Sequence, residues 1–134
     1  MNVARRTRMR WLACALGVAI VLVGIHPDAQ AQKSTEQYIP IGSSPGLSKK
    51  YTSIGTIETL NARDGLFTIS EAGVRRSIRI TAKTRIWLDR SKLKLPSLDG
   101  GTGDLQPGRR IEVKYENPVL RQVADWIKVE APSP

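Results

Sequence analysis

The residues with the clearest potential for intermolecular chemistry are basic and aromatic side chains in the middle of the chain. From Val74 to Leu88, apolar residues occupy mostly even positions, while polar or basic residues occupy the odd ones. Alternate side chains of a strand point to opposite sides, so this pattern predicts a strand with one buried and one solvated face. The candidate ligand face comprises Arg75, Arg79, Lys83, Arg85 and Trp87, joined by Trp126 and Lys128 from a later strand.

This candidate face is suited to an anionic polymer, because cations neutralise phosphate or sulfate charge and aromatic rings stack on bases or sugars. Small barrels of the OB type commonly bind oligomers on such a surface. A second interpretation stays open. The charges are then merely solvated, and the tryptophans pack against the chain before the first strand or against a long connection.

Catalytic and metal-binding chemistry has few candidates after residue 31. The only cysteine, Cys14, and the only histidine, His26, both precede that point, as do Met1 and Met9. The rest of the chain therefore lacks a thiolate nucleophile, a Ser–His dyad and any imidazole or thiolate metal ligand. Carboxylates are spread over separate predicted strands and turns, and their spacing predicts no catalytic pair: Glu58, Asp64, Glu71, Asp89, Glu112 and Asp125. We predict a protein that is not an enzyme and uses no cofactor or metal.

The glycine-rich segment from Gly100 to Asp104 is predicted to be a connector. A phosphate-binding loop would continue into a Lys-Ser or Lys-Thr pair and a helix, and neither follows. Asp99 and Asp104 do not have the spacing of a calcium loop.

The first 31 residues have the composition of an export signal. Four arginines precede an uncharged apolar run of 15 residues, Trp11 to Ile25, and small residues follow at Ala29 and Ala31. Cleavage is predicted between Ala31 and Gln32, and the protein is predicted to be periplasmic or secreted. The alternative is a retained membrane anchor, but 15 residues are fewer than the ~20 that a spanning helix needs. We expect no transmembrane span after processing.

The elements that must position the candidate face are short strands. Residues 32–50 are predicted to form an extended tail rich in Pro, Gly and Ser, residues 51–130 a β domain, and residues 131–134 a short C-terminal tail. Predicted strands span residues 54–60, 66–70, 74–88, 109–116 and 120–130, with a bend near 82–84 and a long connection at 89–106. The chain is predicted to be all-β, a small five- to six-stranded OB-like barrel, since closure removes exposed strand edges.

The charge of the predicted mature protein is strongly positive. Residues 1–31 hold four of the 21 basic and one of the 12 acidic residues, so the remainder carries a net charge of +6. This excess favours anionic partners. Its alternative explanation is solubility alone.

Turn and core residues recur in the order found in a known bacterial family. They are Gly55-Thr56-Ile57, Phe67-Thr68-Ile69, Thr84-Arg85-Ile86, the run from Asp104 to Val113, and Ala124 with Ile127 and Val129. Residues 51–130 thereby resemble exported domains of unknown function with a small OB-like β-barrel, which implies a fold and no chemistry. The layout is also similar to that of periplasmic copper-binding OB-like barrels, whose His, Met and Trp ligand set lacks its His and Met here.

Two functions follow as expectations. The first is a non-enzymatic binding or adaptor module for an anionic polymer or an acidic lipid surface, with no specific nucleic acid as partner. The second is a structural subunit that docks on another envelope protein through its tail and the 89–106 loop.

Overall fold

The computed structural model describes residues 35–134. The predicted signal peptide and its cleavage site at Ala31 and Gln32 lie outside the described residues. Within residues 35–134, no helix is long and apolar enough to span a bilayer.

The described chain is all-β and forms one seven-stranded sheet. The strands are β1 (Thr52–Asn61), β2 (Leu66–Glu71), β3 (Val74–Arg79), β4 (Arg85–Asp89), β5 (Leu98–Asp99), β6 (Arg110–Tyr115) and β7 (Ala124–Glu130). Two short 3-10 helices, Ser91–Leu93 and Thr102–Asp104, lie in the connection around β5.

The sheet has the order β3-β2-β1-β6-β7-β4-β5. The end of the edge strand β3 also pairs with the residues just before β7. All neighbouring strands are antiparallel except β4 and β7, which are parallel. The amide of Arg79, at the end of β3, donates to the carbonyl of Gln122 at 2.8 Å, and Arg79 bridges Val123 just before β7. The strands β1, β2, β3, β7 and β6 therefore form a closed ring, as in a barrel.

The strand count differs from the predicted five or six for two local reasons. The predicted strand 74–88 is divided by a turn, in which Thr84 Oγ1 accepts from the Thr81 amide and donates to the Ala124 carbonyl. This turn lies at the predicted bend, and β3 and β4 serve two regions of the sheet. In addition, β5 forms within the 89–106 connection, where only a loop was expected.

The predicted strand 120–130 begins four residues late, at Ala124. The Asn117 side chain accepts hydrogen bonds from the amides of Val119 and Leu120, at 2.9 and 3.0 Å. Such local side-chain bonds compete with strand pairing and favour a turn. Arg121, with φ of 50°, completes the turn in the left-handed region.

The barrel encloses a continuous apolar core. Its buried side chains come from the inward positions of the strands, and Leu105 of the long connection joins them with no exposed surface: Ile57, Phe67, Ile69, Ile78, Ile86, Leu105, Ile111, Val113, Tyr115, Ala124, Ile127 and Val129. The alternation predicted for residues 74–88 places Ile78 and Ile86 in this core, whereas Val74, on the same predicted face, is 56% exposed.

Residues 35–50 form a strap that lies across the outside of the barrel. Positive φ angles at Gly42 (84°) and Gly46 (70°) turn the chain back on itself, a conformation that glycine adopts without steric cost. Ile41 is buried. The extended tail predicted from Pro, Gly and Ser content is in fact packed against strands β1, β4, β6 and β7.

Candidate functional site

The seven residues predicted to share one ligand face occupy two different environments. Arg75, Arg79, Lys83 and Arg85 are exposed. Trp87, Trp126 and Lys128 are buried, with 2%, 2% and 1% of their surface accessible. Four of the seven residues are therefore exposed at the molecular surface, and three are not.

The exposed members follow the chain from β3 to β4, and we call these four residues the basic stripe. Arg75 pairs with Glu58 at 2.6 Å between Nε and Oε2. Arg79 ends β3, Lys83 lies in the following turn, and Arg85 begins β4. Within residues 35–134, Arg79, Lys83 and Arg85 have no carboxylate partner. Three cationic groups thus remain available to an external anion.

The strap covers the outward side of β6, β7 and β4, where it bonds to Glu112, Lys128 and Asp89. The two buried tryptophans lie on the same side of these strands. Trp87 lies opposite Lys128, and Lys128 opposite Glu112, so these side chains form one row across three strands. The rings of Trp87 and Trp126 lie 5.7 Å apart between centroids. We call Trp87, Glu112, Trp126 and Lys128 the covered face. The burial of both tryptophans is in keeping with the second interpretation of the sequence, in which they pack under another segment.

Lys128 is the most unusual member of the covered face. Its Nζ donates to Ser44 Oγ at 2.8 Å, lies 4.7 Å from the centre of the Trp126 ring, and lies 3.7 Å from Glu36 Oε1. Glu36 Oε1 accepts no hydrogen bond from the described part of the chain. Burial lowers the pKa of Lys128 below its ordinary value, and the nearby carboxylates of Glu36, Glu112 and Asp89 oppose that shift. The strap therefore holds a cation in a largely dry environment.

Two carboxylates that the sequence placed on separate elements meet at the strap. Asp89 Oδ2 accepts from the amide of Ile41 at 2.9 Å, and Glu112 Oε2 accepts from the next amide, that of Gly42, at 2.7 Å. Glu112 Oε1 also accepts from the hydroxyls of Ser48 and Thr52, at 2.6 and 2.8 Å. Carboxylates that accept several hydrogen bonds can be buried at acceptable cost. Asp89 and Glu112 hold the strap through these bonds, a role that their spacing in the sequence does not indicate.

A signal for this cluster exists in the sequence but is weak. Glu112 and Lys128 occupy outward positions in their strands, which normally means contact with water. Only the cross-strand register, which places them side by side, and the position of the strap show that they are buried. Their polar character is explained by the serines and amides of the strap.

A metal site is not formed by the described residues. Among residues 35–134, no three Asp, Glu, His or Cys side chains lie close enough together to hold an ion.

The glycine-rich segment from Gly100 to Asp104 forms a local turn, in which Asp104 accepts a hydrogen bond from the Gly101 amide at 2.8 Å.

A shallow groove of about 300 Å³ lies where β6 and β7 meet the C-terminal tail. It is lined by Lys92, Arg109, Arg110 and Glu130, together with Gly108 and residues 131–133. Lys92 pairs with Glu130 at 2.6 Å, and Arg109 donates to the carbonyl of Asp104. These cations are partly engaged within the protein, unlike those of the basic stripe.

Comparison with known proteins gives one structural similarity. No family model and no curated protein matches the chain. The crystal structure of Ag(I)CusF is similar at 13% sequence identity, covering 58% of this chain and 93% of that one, with a TM-score of 0.41. A similarity of this size carries no argument about the function of the chain.

Proposed function

We propose that the protein is a non-enzymatic, exported binding module whose basic stripe binds an anionic polymer. The observation that carries this proposal is the exposure of Arg79, Lys83 and Arg85 without carboxylate partners in the described part of the chain. Exposed cations that are not neutralised within the protein can release counterions from a polyanion on binding. The net positive charge of the chain favours approach of such a ligand.

The chemistry of the stripe favours phosphate or sulfate groups over nucleic-acid bases. Trp87 and Trp126 were the aromatic members of the predicted face, and both are buried. Without an exposed ring beside the cations, stacking on bases does not contribute. Recognition would depend on charge and on the spacing of anionic groups.

The direct experiment is a titration of the protein with polyphosphate and with dextran sulfate at several salt concentrations. The double variant Arg79→Ala with Arg85→Ala should weaken binding. It should also reduce the slope of the logarithm of affinity against the logarithm of salt concentration by roughly one to two, since each phosphate contact contributes about 0.7 to 0.9 to that slope. The matched control is Arg63→Ala with Lys94→Ala, which removes the same charge from exposed positions outside the stripe. Equal losses in the two double variants would show that only net charge matters and would overturn the assignment to the stripe.

A second candidate function is docking on another exported protein through the 89–106 connection. Leu95 and Leu98 favour it, because 48% and 46% of their surface is exposed there. The strap does not favour it, because its polar groups are bonded to the barrel. Capture of a partner that is lost with Leu95→Ser and Leu98→Ser, in the absence of any polyanion binding, would make this the better proposal.

A further inference from the structure

One end of the barrel carries four exposed apolar side chains, which we call the barrel tip. They are Tyr51, Val74, Val119 and Leu120, with exposed fractions of 40%, 56%, 87% and 61%. Tyr51 precedes β1, Val74 begins β3, and Val119 and Leu120 lie between β6 and β7. Antiparallel pairing places the start of β1, the β2–β3 turn and the β6–β7 turn at the same end. Clustered exposed apolar side chains commonly mark an interaction site.

The β6–β7 turn holds Val119 and Leu120 outward. Their amides are bonded to the Asn117 side chain, so the backbone of the turn is satisfied locally. Arg121 Nη2 donates to the Lys50 carbonyl at 3.3 Å, which ties this turn to the chain before β1. The guanidinium of Arg121 also lies 5.9 Å from the centre of the Tyr115 ring. The two apolar side chains are therefore presented by an anchored turn.

Cations surround the barrel tip. Lys49 and Lys50 are exposed beside Tyr51, and the Lys50 Nζ lies 5.0 Å from the centre of the Tyr51 ring. Among residues 35–134, three carboxylates lie at this end. Glu71 is bonded to Arg76 and to the Ser53 hydroxyl, and Asp125 is paired with Lys114, which leaves Glu116. Positive charge therefore exceeds negative charge around the apolar side chains.

We propose that the barrel tip binds the surface of an anionic lipid bilayer. Val119 and Leu120 enter the region between headgroups and acyl chains, while Lys49, Lys50 and Arg121 lie at the level of the lipid phosphates. Apolar side chains gain free energy on leaving water, and basic residues close to an anionic leaflet add to it. Charge complementarity identifies an anionic lipid surface as the occupant, because the exposed apolar side chains lie on turns that are flanked by cations. The barrel tip adjoins the basic stripe only where Val74 precedes Arg75 in β3, and the proposal does not rest on the proposed function.

The test places an environment-sensitive dye at the tip. Cys14 is the only natural cysteine, so Cys14→Ser gives a background for one introduced thiol, at Val119→Cys or, as control, at Leu98→Cys. Vesicles with equal parts phosphatidylcholine and phosphatidylglycerol should shift the dye emission to the blue at position 119 and leave it unchanged at 98. Vesicles of phosphatidylcholine alone should have little effect. The readout is local, so it applies whether or not residues 1–31 are retained.

Binding variants sharpen the result. Val119→Ser with Leu120→Ser should lower vesicle binding at least about tenfold, while Leu95→Ser with Leu98→Ser should not. Lys49→Gln and Lys50→Gln should each lower it about fivefold. Arg79→Ala with Arg85→Ala should leave the dye shift intact, which separates this proposal from polymer binding. The absence of a shift at 119, or equal shifts at 119 and 98, would overturn the proposal.

Discussion

The open and covered sides of the barrel each contain an ion pair, and the two pairs behave differently. On the open side, Arg75 and Glu58 approach to 2.6 Å, with 76% and 31% of their side chains exposed. On the covered side, Lys128 and Glu36 are 3.7 Å apart, with only 1% and 6% exposed. Water screens the first pair, so its contribution to stability is small despite the shorter distance. The second pair has lost most of its water, and removing one partner leaves a buried charge.

The difference shows that the residue pattern of a strand does not by itself define a binding surface. Lys128 and Arg79 are both cations at outward strand positions. Lys128 is buried and bonded to Ser44 of the strap, while Arg79 is exposed. What distinguishes them is a segment more than 70 residues away along the chain from Lys128.

The largest expected effect is that of removing the buried cation. Lys128→Met should lower the free energy of unfolding by about 3 to 5 kcal/mol, because Glu36 and Glu112 remain buried without it. Urea unfolding followed by tryptophan fluorescence measures this. The matched control is Lys83→Met at an exposed position, for which a change below about 0.5 kcal/mol is expected. Similar stability of the two variants would contradict the distinction between the two sides.

Trp87→Ala should cost about 3 kcal/mol, because a large buried ring is replaced by a cavity. Circular dichroism during urea unfolding is the measurement, since the substitution alters the fluorescence signal. The same variant, under conditions in which it is folded, should retain the polyanion affinity of the wild type. A loss of polyanion affinity with unchanged stability would instead show that Trp87 contributes to ligand binding.

The pH dependence of stability gives a smaller effect with a definite sign. In the unfolded chain Lys128 titrates near 10.5, whereas burial lowers its pKa in the folded protein. Between these two pKa values the unfolded chain binds more protons than the folded protein does. The free energy of unfolding of the protein should therefore rise with pH in this range. Burial raises the pKa of Tyr115 above 10.0, which opposes the rise at higher pH. The comparison is therefore made below pH 10, where Lys128→Met should lack the increase that the wild type shows.

The smallest expected effect concerns the open side. Glu58→Gln should change the free energy of unfolding by less than about 1 kcal/mol, because an exposed pair is screened and its side chains are mobile. It should also release Arg75 and strengthen polyanion binding slightly. Chemical unfolding tests the first statement, and the polyphosphate titration tests the second. A large loss of stability would show that the Arg75–Glu58 pair is needed for folding.

The sequence by itself determined the class of fold and much of its layout. Period-two alternation over residues 74–88 identified the region that contains β3 and β4, and the bend near residues 82–84 was predicted where the two strands separate. These features depend on neighbouring residues and on the pleat of a strand. They are local, and so a single sequence contains them.

Only the tertiary structure decided which outward residues meet water. The environment of Lys128 depended on the path of residues 35–50, whose Pro, Gly and Ser content gives no period and no indication of where the strap lies. The meeting of Asp89 and Glu112 with the successive amides of Ile41 and Gly42 depended likewise on strand register and barrel closure. Burial is set by contacts between segments distant in sequence, and a polar residue is retained there when another segment supplies its hydrogen bonds.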